Sequence, residues 1–300
     1  MDAQQTILIV GATGNIGGGA AMALAKRGAR VVLLGRNPEK LNARSESIQA
    51  ALHAGQKEKT DLATLVLDIS DMASVRDAAA EAMQRFPKID GLVLSTVAWI
   101  ENGPTLLPSG HEVMFATNVM GPFLFTQLLL ERIQASNGLV MHVIAPFFNK
   151  FDWDDLESTR NHKTGVAYNR TKTYNRMIAG EMARRYAGKV TTVAYDPAFI
   201  IDKSDPALKE KWPSGFVGVF WSLMTVLLAK PPEVAGEPLA DLVFTHPDRA
   251  ALNGALYKLG KRIEKPDRAM QDVASGQRLW AKLVQMTDAP SEKSSSKEVV

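Results

Sequence analysis

The sequence predicts an α/β fold: a single doubly wound parallel sheet flanked by helices, with a C-terminal substrate flap. Three observations carry this. Short apolar runs of strand length alternate with helical stretches, a glycine-rich turn stands directly behind the first run, and 300 residues with 46% hydrophobic content can fill one large core. The chain has no internal repeat.

The predicted strands are 7–10, 31–34, 64–67, 91–94, 139–144 and 190–194. Between them, 16–27, 38–53, 72–85, 111–133 and 167–186 place apolar residues at spacings of three and four among Ala, Leu, Met, Glu and Arg, which makes them the covering helices. Pro38 opens its helix where a missing N–H costs nothing, and Asp71 and Ser109 are the expected caps of theirs. Beyond Ala194 the pattern loosens. Pro197, Pro206, Pro213, Pro231 and Pro232 divide 195–235 into short pieces that read as a mobile flap, with Trp212, Phe216, Phe220, Trp221, Leu223 and Met224 as an apolar wall. Residues 266–286 form a C-terminal helix packed on the domain, and 287–300, rich in Ser, Lys and Glu, read as a disordered tail.

Composition excludes several classes of function. With no cysteine there is no disulfide scaffold, thiolate metal site or cysteine nucleophile, and no metal centre is expected. Lys and Arg number 35 against 32 acidic residues, a net charge of +3 without a dense basic run, so nucleic acid is not an expected partner. The polar start 1–6 is not a secretory signal, and the uncharged stretch 215–229 falls short of the roughly 18 to 20 residues a spanning helix needs. A cytoplasmic protein is expected, with peripheral membrane contact left open.

The turn behind the first strand reads Gly11-Ala-Thr13-Gly14-Asn15-Ile16-Gly17, followed by Gly18 and Gly19. Glycine there lets backbone approach a diphosphate closely, and the helix start behind it offers free N–H groups and positive dipole. Placed after the opening strand of a βαβ unit, it predicts a dinucleotide-binding, Rossmann-type domain over 1–265. Thr13 offers either a hydroxyl contact or a turn bond to its own backbone. Arg36, at the end of the second strand, points to NADP(H), because a 2′-phosphate needs a cation where NAD sites use a carboxylate; it also stands where it could stack on adenine. Asp68, ending the third strand, is a candidate acceptor for the adenine amine or a helix-capping acid.

With Tyr168-Asn-Arg-Thr-Lys172 inside a helix, the sequence resembles the short-chain dehydrogenase/reductase family over about residues 5–265. Its look is nearest the retinol dehydrogenase and protochlorophyllide reductase-like branch, on the stretches 67–76, 117–123, 151–156 and 168–185. Spacing alone puts Lys172 beside Tyr168 on one helix face, where an ammonium would lower the tyrosine pKa and make Tyr168 a general acid for a carbonyl oxygen. The resemblance implies that Lys172 binds the nicotinamide ribose, that Asn118 holds a water joining Lys172 to solvent, and that Gly11, Thr13, Gly14, Asn15, Ile16, Gly17, Arg36, Asp68, Ser95, Asn118, Tyr168, Lys172 and Pro197 contact the cofactor. It also implies a homo-oligomer through the helices 111–133 and 167–186.

Departures from the family pattern matter as much. The serine that donates to the substrate carbonyl is replaced by Ile144 or Ala145, with Thr164, Ser158 and His142 as candidate substitutes. Ser95-Thr-Val97 stands for the family's Asn-Ala-Gly, Pro197-Ala198 for its Pro-Gly, and Asp202 for a threonine at the carboxamide. The expected function is NADPH-dependent reduction of a carbonyl or activated double bond in a hydrophobic small molecule. The alternatives are an NADP-binding protein that does not reduce, and an enzyme for a non-redox step.

Overall fold

A computed structural model describes residues 4–146, 150–203, 225, 227–245 and 248–290. Strands β1 (Thr6–Val10), β2 (Arg30–Gly35), β3 (Asp61–Val66), β4 (Gly91–Leu94), β5 (Leu139–Val143), β6 (Thr191–Asp196), β7 (Ala255–Lys258) and β8 (Lys261–Arg262) form one sheet in the order β3-β2-β1-β4-β5-β6-β7-β8. All pairs are parallel except β7 with β8. The chain order reverses between β1 and β4, and a ligand crevice opens where neighbouring crossovers leave in opposite directions.

Each face of the sheet carries its own core, which is why the central strands read as continuous apolar runs. Helices α1 (Asn15–Lys26) and α2 (Pro38–Ala51) cover one face together with α8 (Pro232–Ala240), over Ile7, Ile9, Val31 and Leu33. The other face takes α4 (Met72–Arg85), α6 (Gly121–Ala135), α7 (Thr164–Arg185) and the C-terminal α11 (Val273–Thr287), over Leu8, Val10, Val32 and Leu34. Short helical turns α3 (Ala54–Lys57), α5 (Val113–Phe115), α9 (Arg249–Leu252) and α10 (Arg268–Gln271) join these elements.

Several boundaries differ from expectation. β3 begins at Asp61, not 64: it is a half-exposed edge strand whose polar start, paired to Arg30, hides its periodicity. Pro38 opens α2 and Asp71 caps α4 as expected, with Asn37 capping α2, but the cap before α5 is Glu112 rather than Ser109, its carboxylate accepting from the Phe115 N–H at 2.8 Å. β7 and β8 were not anticipated, being too short for a periodic signal.

The flap expected over 195–235 ends in covering structure, since Pro231 and Pro232 open α8; its aromatic wall from Trp212 to Met224, with Pro206 and Pro213, lies outside the described residues. Of the tail expected over 287–300, residues 287–290 are packed structure and 291–300 lie outside the described residues. Thr287 closes α11 with its hydroxyl on Leu283, Arg76 donates to the Thr287 and Asp288 carbonyls, and Ala289 is buried. Of the helices expected to meet a second copy, α7 is buried over Thr171–Ala183 and packs against α10 and α11 of the same chain, and Trp280 of α11 is stacked edge-on to Phe123 of α6.

Candidate active site

The glycine turn sits where the chain order reverses. Gly11 adopts φ +84°, a left-handed conformation costly for other residues, and donates to the Leu34 carbonyl of β2. A Cβ on Gly17 would collide with the Gly11 carbonyl and lie 2.6 Å from Ser95 Oγ, so turn and helix are pressed together. Gly14 differs. A Cβ there would meet only the Gly11 oxygen, at 3.4 Å, which leaves that side of the turn open. No side chain caps α1 and no acid lies in its first turn, so the N–H groups of Asn15, Ile16 and Gly17 have no intrahelical acceptor. The turn therefore fits a diphosphate.

Two further predicted contacts have their groups engaged within the protein. Ser95 Oγ donates to the Val10 carbonyl at 2.7 Å, tying β4 to β1 behind the turn. Asp68 accepts from the Ser70 N–H and hydroxyl in a tight turn before α4. Arg36 is exposed at the carboxyl end of β2. Pro197 follows β6 at the same edge, and Ala198 behind it keeps φ +59° although it is not glycine, held by Asp196 Oδ1.

Across the crevice, α7 brings Tyr168 and Lys172 to the ends of β4 and β5. The Lys172 ammonium donates to the Val143 carbonyl at 3.3 Å and the Thr96 carbonyl at 3.5 Å, and lies 5.8 Å from the Tyr168 ring centroid. Asn118 is buried and pairs with Ala98 in both directions, accepting its N–H at 2.7 Å and donating to its carbonyl at 3.0 Å. Its amide also donates to Thr171 Oγ1, which in turn donates to the Tyr168 carbonyl. Thus the loop after β4, the π-turn Ala116–Met120 and α7 are pinned together at the site.

Burial sets the protonation states. The Tyr168 phenol is pushed up to about 12, the reverse of the lowering expected from Lys172, because loss of hydration outweighs an ammonium placed over the ring. Lys172 is itself brought down to about 8 by burial. His142, in β5 between Leu94 and Ala194, is held near 4 by burial and then by the Lys172 charge, so it is neutral; its Nε2 has no partner among the described residues.

A profile of the short chain dehydrogenase family matches residues 5–202. The chain belongs to the short-chain dehydrogenase family. Its relatives place it in the retinol dehydrogenase-like branch of these nicotinamide-dependent oxidoreductases. It is 27% identical to human retinol dehydrogenase 13 over 298 residues, covering 96% of this chain and 86% of the relative. It is 34% identical over 194 residues to a protein of Streptomyces sp. (strain C5) with a provisional assignment as daunorubicin C-13 ketoreductase, covering 64% of this chain and 65% of the relative. Among solved structures, an alcohol dehydrogenase from the archaeon Thermococcus sibiricus, complexed with 5-hydroxy-NADP, superposes with a TM-score of 0.63 at 18% identity. That superposition covers 88% of this chain and 100% of the other.

Of the two residues that stand for the family's serine, Ile144 is buried with Ala179, Ala194 and Met270, and Ala145 is half-buried. Of the candidate substitutes, Thr164 donates to the Ile100 carbonyl and Ser158 is buried, accepting from Arg170. Sequence reasoning missed Trp99, whose ring packs edge-on to Tyr168 at 5.1 Å while remaining 47% exposed. No periodic signal marks it. Pro122 is the sequence signal of the π-turn: lacking an N–H, it cannot close the α-helical bond onto the Asn118 carbonyl four residues earlier, and the helix runs as a π-turn there. One helical run, Val113–Ala135, is long and apolar enough to cross a membrane, and 78% of its most apolar window is buried inside the protein.

Proposed function

We propose that this short-chain dehydrogenase is an NADPH-dependent reductase of a carbonyl, or activated double bond, in a hydrophobic small molecule. The observation that carries the reading is the convergence of Tyr168 and Lys172 on the strand ends that flank the open glycine turn. A bound reduced nicotinamide supplies hydride to the electrophilic carbon. Tyr168, protonated at neutral pH, delivers its phenolic proton to the substrate oxygen. Lys172, fixed by two carbonyls, keeps its third N–H for the ribose and its charge beside the developing oxyanion. Asn118 holds the loop after β4 in place through Ala98.

Gly11, Thr13, Gly14, Asn15, Ile16, Gly17, Ser95 and Pro197 line the cofactor path in this reading, with Asp68 toward the adenine. Arg36, a cation where NAD sites use a carboxylate, supports the phosphorylated cofactor. The apolar substrate class is supported by Trp99, exposed beside Tyr168, by Val97, exposed two residues before it, and by relatives named for retinol and for the C-13 ketone of daunorubicin. Tyr168→Phe is expected to abolish NADPH oxidation with a reducible ketone while leaving NADPH fluorescence titration within about threefold; retained turnover would sink the role given to the phenol.

A second reading is favoured by one observation, the apolar pair Ile144 and Ala145 where a hydroxyl donor is expected. Loss of one such donor costs about 100- to 1000-fold in rate. On that reading the protein binds NADPH and does not reduce. Tight NADPH binding without oxidation across a panel of aldehydes, ketones and enones would select it.

A further inference from the structure

The glycine run continues two residues past the turn, and the extra glycines are explained separately. A Cβ on Gly19 would lie 2.5 Å from the Pro232 carbonyl, so that glycine lets α8 press against α1. Gly18 faces a side chain instead. A Cβ there would lie 2.9 Å from Arg44 Cζ, 3.1 Å from its Nη2 and 3.2 Å from its Nε. The position is bare because the Arg44 guanidinium lies flat on it, with Nη2 donating to the Thr13 carbonyl at 3.4 Å.

This is a poor place for an uncompensated cation. The first turn of α1 carries the positive end of the helix dipole, and a guanidinium laid against it is disfavoured unless an anion joins it. Among the described residues no carboxylate pairs with Arg44, and its one hydrogen bond, long at 3.4 Å, leaves most of its five N–H donors unspent. On the other side of Thr13 lies the end of β2: a Cβ on Gly35 would be 3.8 Å from Thr13 Oγ1. Arg36 follows Gly35 directly, exposed to solvent. The Arg44 guanidinium therefore meets Thr13 from α2, and Arg36 leaves the end of β2 one residue beyond the glycine that packs against Thr13.

We infer that Arg44 is a second cofactor-specificity residue, which with Arg36 clamps the 2′-phosphate of NADP across Thr13. The inference rests on the NADP reading above. A phosphate monoester carries nearly two charges and takes guanidinium forks edge-on, whereas the 2′-hydroxyl of NAD gives them nothing to compensate.

The test is calorimetric titration of the whole protein with 2′,5′-ADP and with 5′-AMP, which differ only in the 2′-phosphate. Wild type is expected to favour 2′,5′-ADP. Arg44→Ala and Arg44→Gln should each weaken 2′,5′-ADP by about 10- to 100-fold and move 5′-AMP by less than about threefold. Gly18→Ala keeps both charges but displaces the guanidinium, and should lower the same preference by a smaller factor. If wild type shows no preference, the NADP reading fails and the clamp with it. If Arg36→Ala removes the preference while both Arg44 variants keep it, the clamp alone is overturned. Equal weakening of both ligands by the Arg44 variants would also overturn it, assigning Arg44 to the shape of the turn.

Discussion

Lys172 carries its charge to a place water does not reach. Burial holds its pKa near 8 against an ordinary 10.5, so between those values the unfolded chain keeps a proton that the folded protein has released, and stability rises with pH. At neutral pH the folded protein bears the whole penalty, about 3 kcal/mol at most. Lys172→Met should therefore raise stability to urea at pH 7 by about 1 to 3 kcal/mol, less what the Thr96 and Val143 carbonyls lose, while ending turnover. The gain should shrink between pH 8 and 10, and urea melts across that range are the check; a variant less stable than wild type at pH 7 would contradict the buried charge. At this scale the i, i+4 pairing of Tyr168 and Lys172 was legible, because helix geometry fixes it. The direction of the tyrosine shift was not, since it depends on how much water the fold removes from the phenol.

Among the elements, contacts of backbone against backbone decide most. α1 and α8 cross so closely that a Cβ on Gly236 would collide with Gly19 and lie 2.8 Å from the Ala20 nitrogen. Gly236→Ala should destabilise the protein by about 2 kcal/mol or more and lower its melting temperature, because overpacking here meets rigid backbone rather than a side chain that can turn away. Calorimetric melting of the variant reads it directly, and an unchanged midpoint would mean the helices separate freely. The same crossing explains why the end of the proline-rich segment is a covering helix: Pro231 and Pro232 mark a helix start, and only its glycine-to-glycine contact with α1 shows which face it covers. The π-turn at Asn118 is the complementary case, written in the sequence through Pro122.

At the scale of the whole molecule, the C-terminal helix α11 closes the second core. Trp280 packs on Phe123 and Tyr186, with the Arg185 guanidinium 5.0 Å over its ring. Trp280→Ala should cost about 3 to 5 kcal/mol and bare part of α6 and α7; a loss below 1 kcal/mol in urea melts would mean α11 is an appendage. The sequence by itself determined the alternation of strands and helices, the diphosphate-fitting turn, the tyrosine and lysine pair and the loss of the serine hydroxyl, all of which are local in the chain. Tertiary structure decided what depends on neighbours remote in sequence. Trp99 came to lie against Tyr168, Arg44 against Gly18, and α10 and α11 against α7. Periodicity records which way a side chain points, but only the packed fold fixes what it meets there and how much water is left around it.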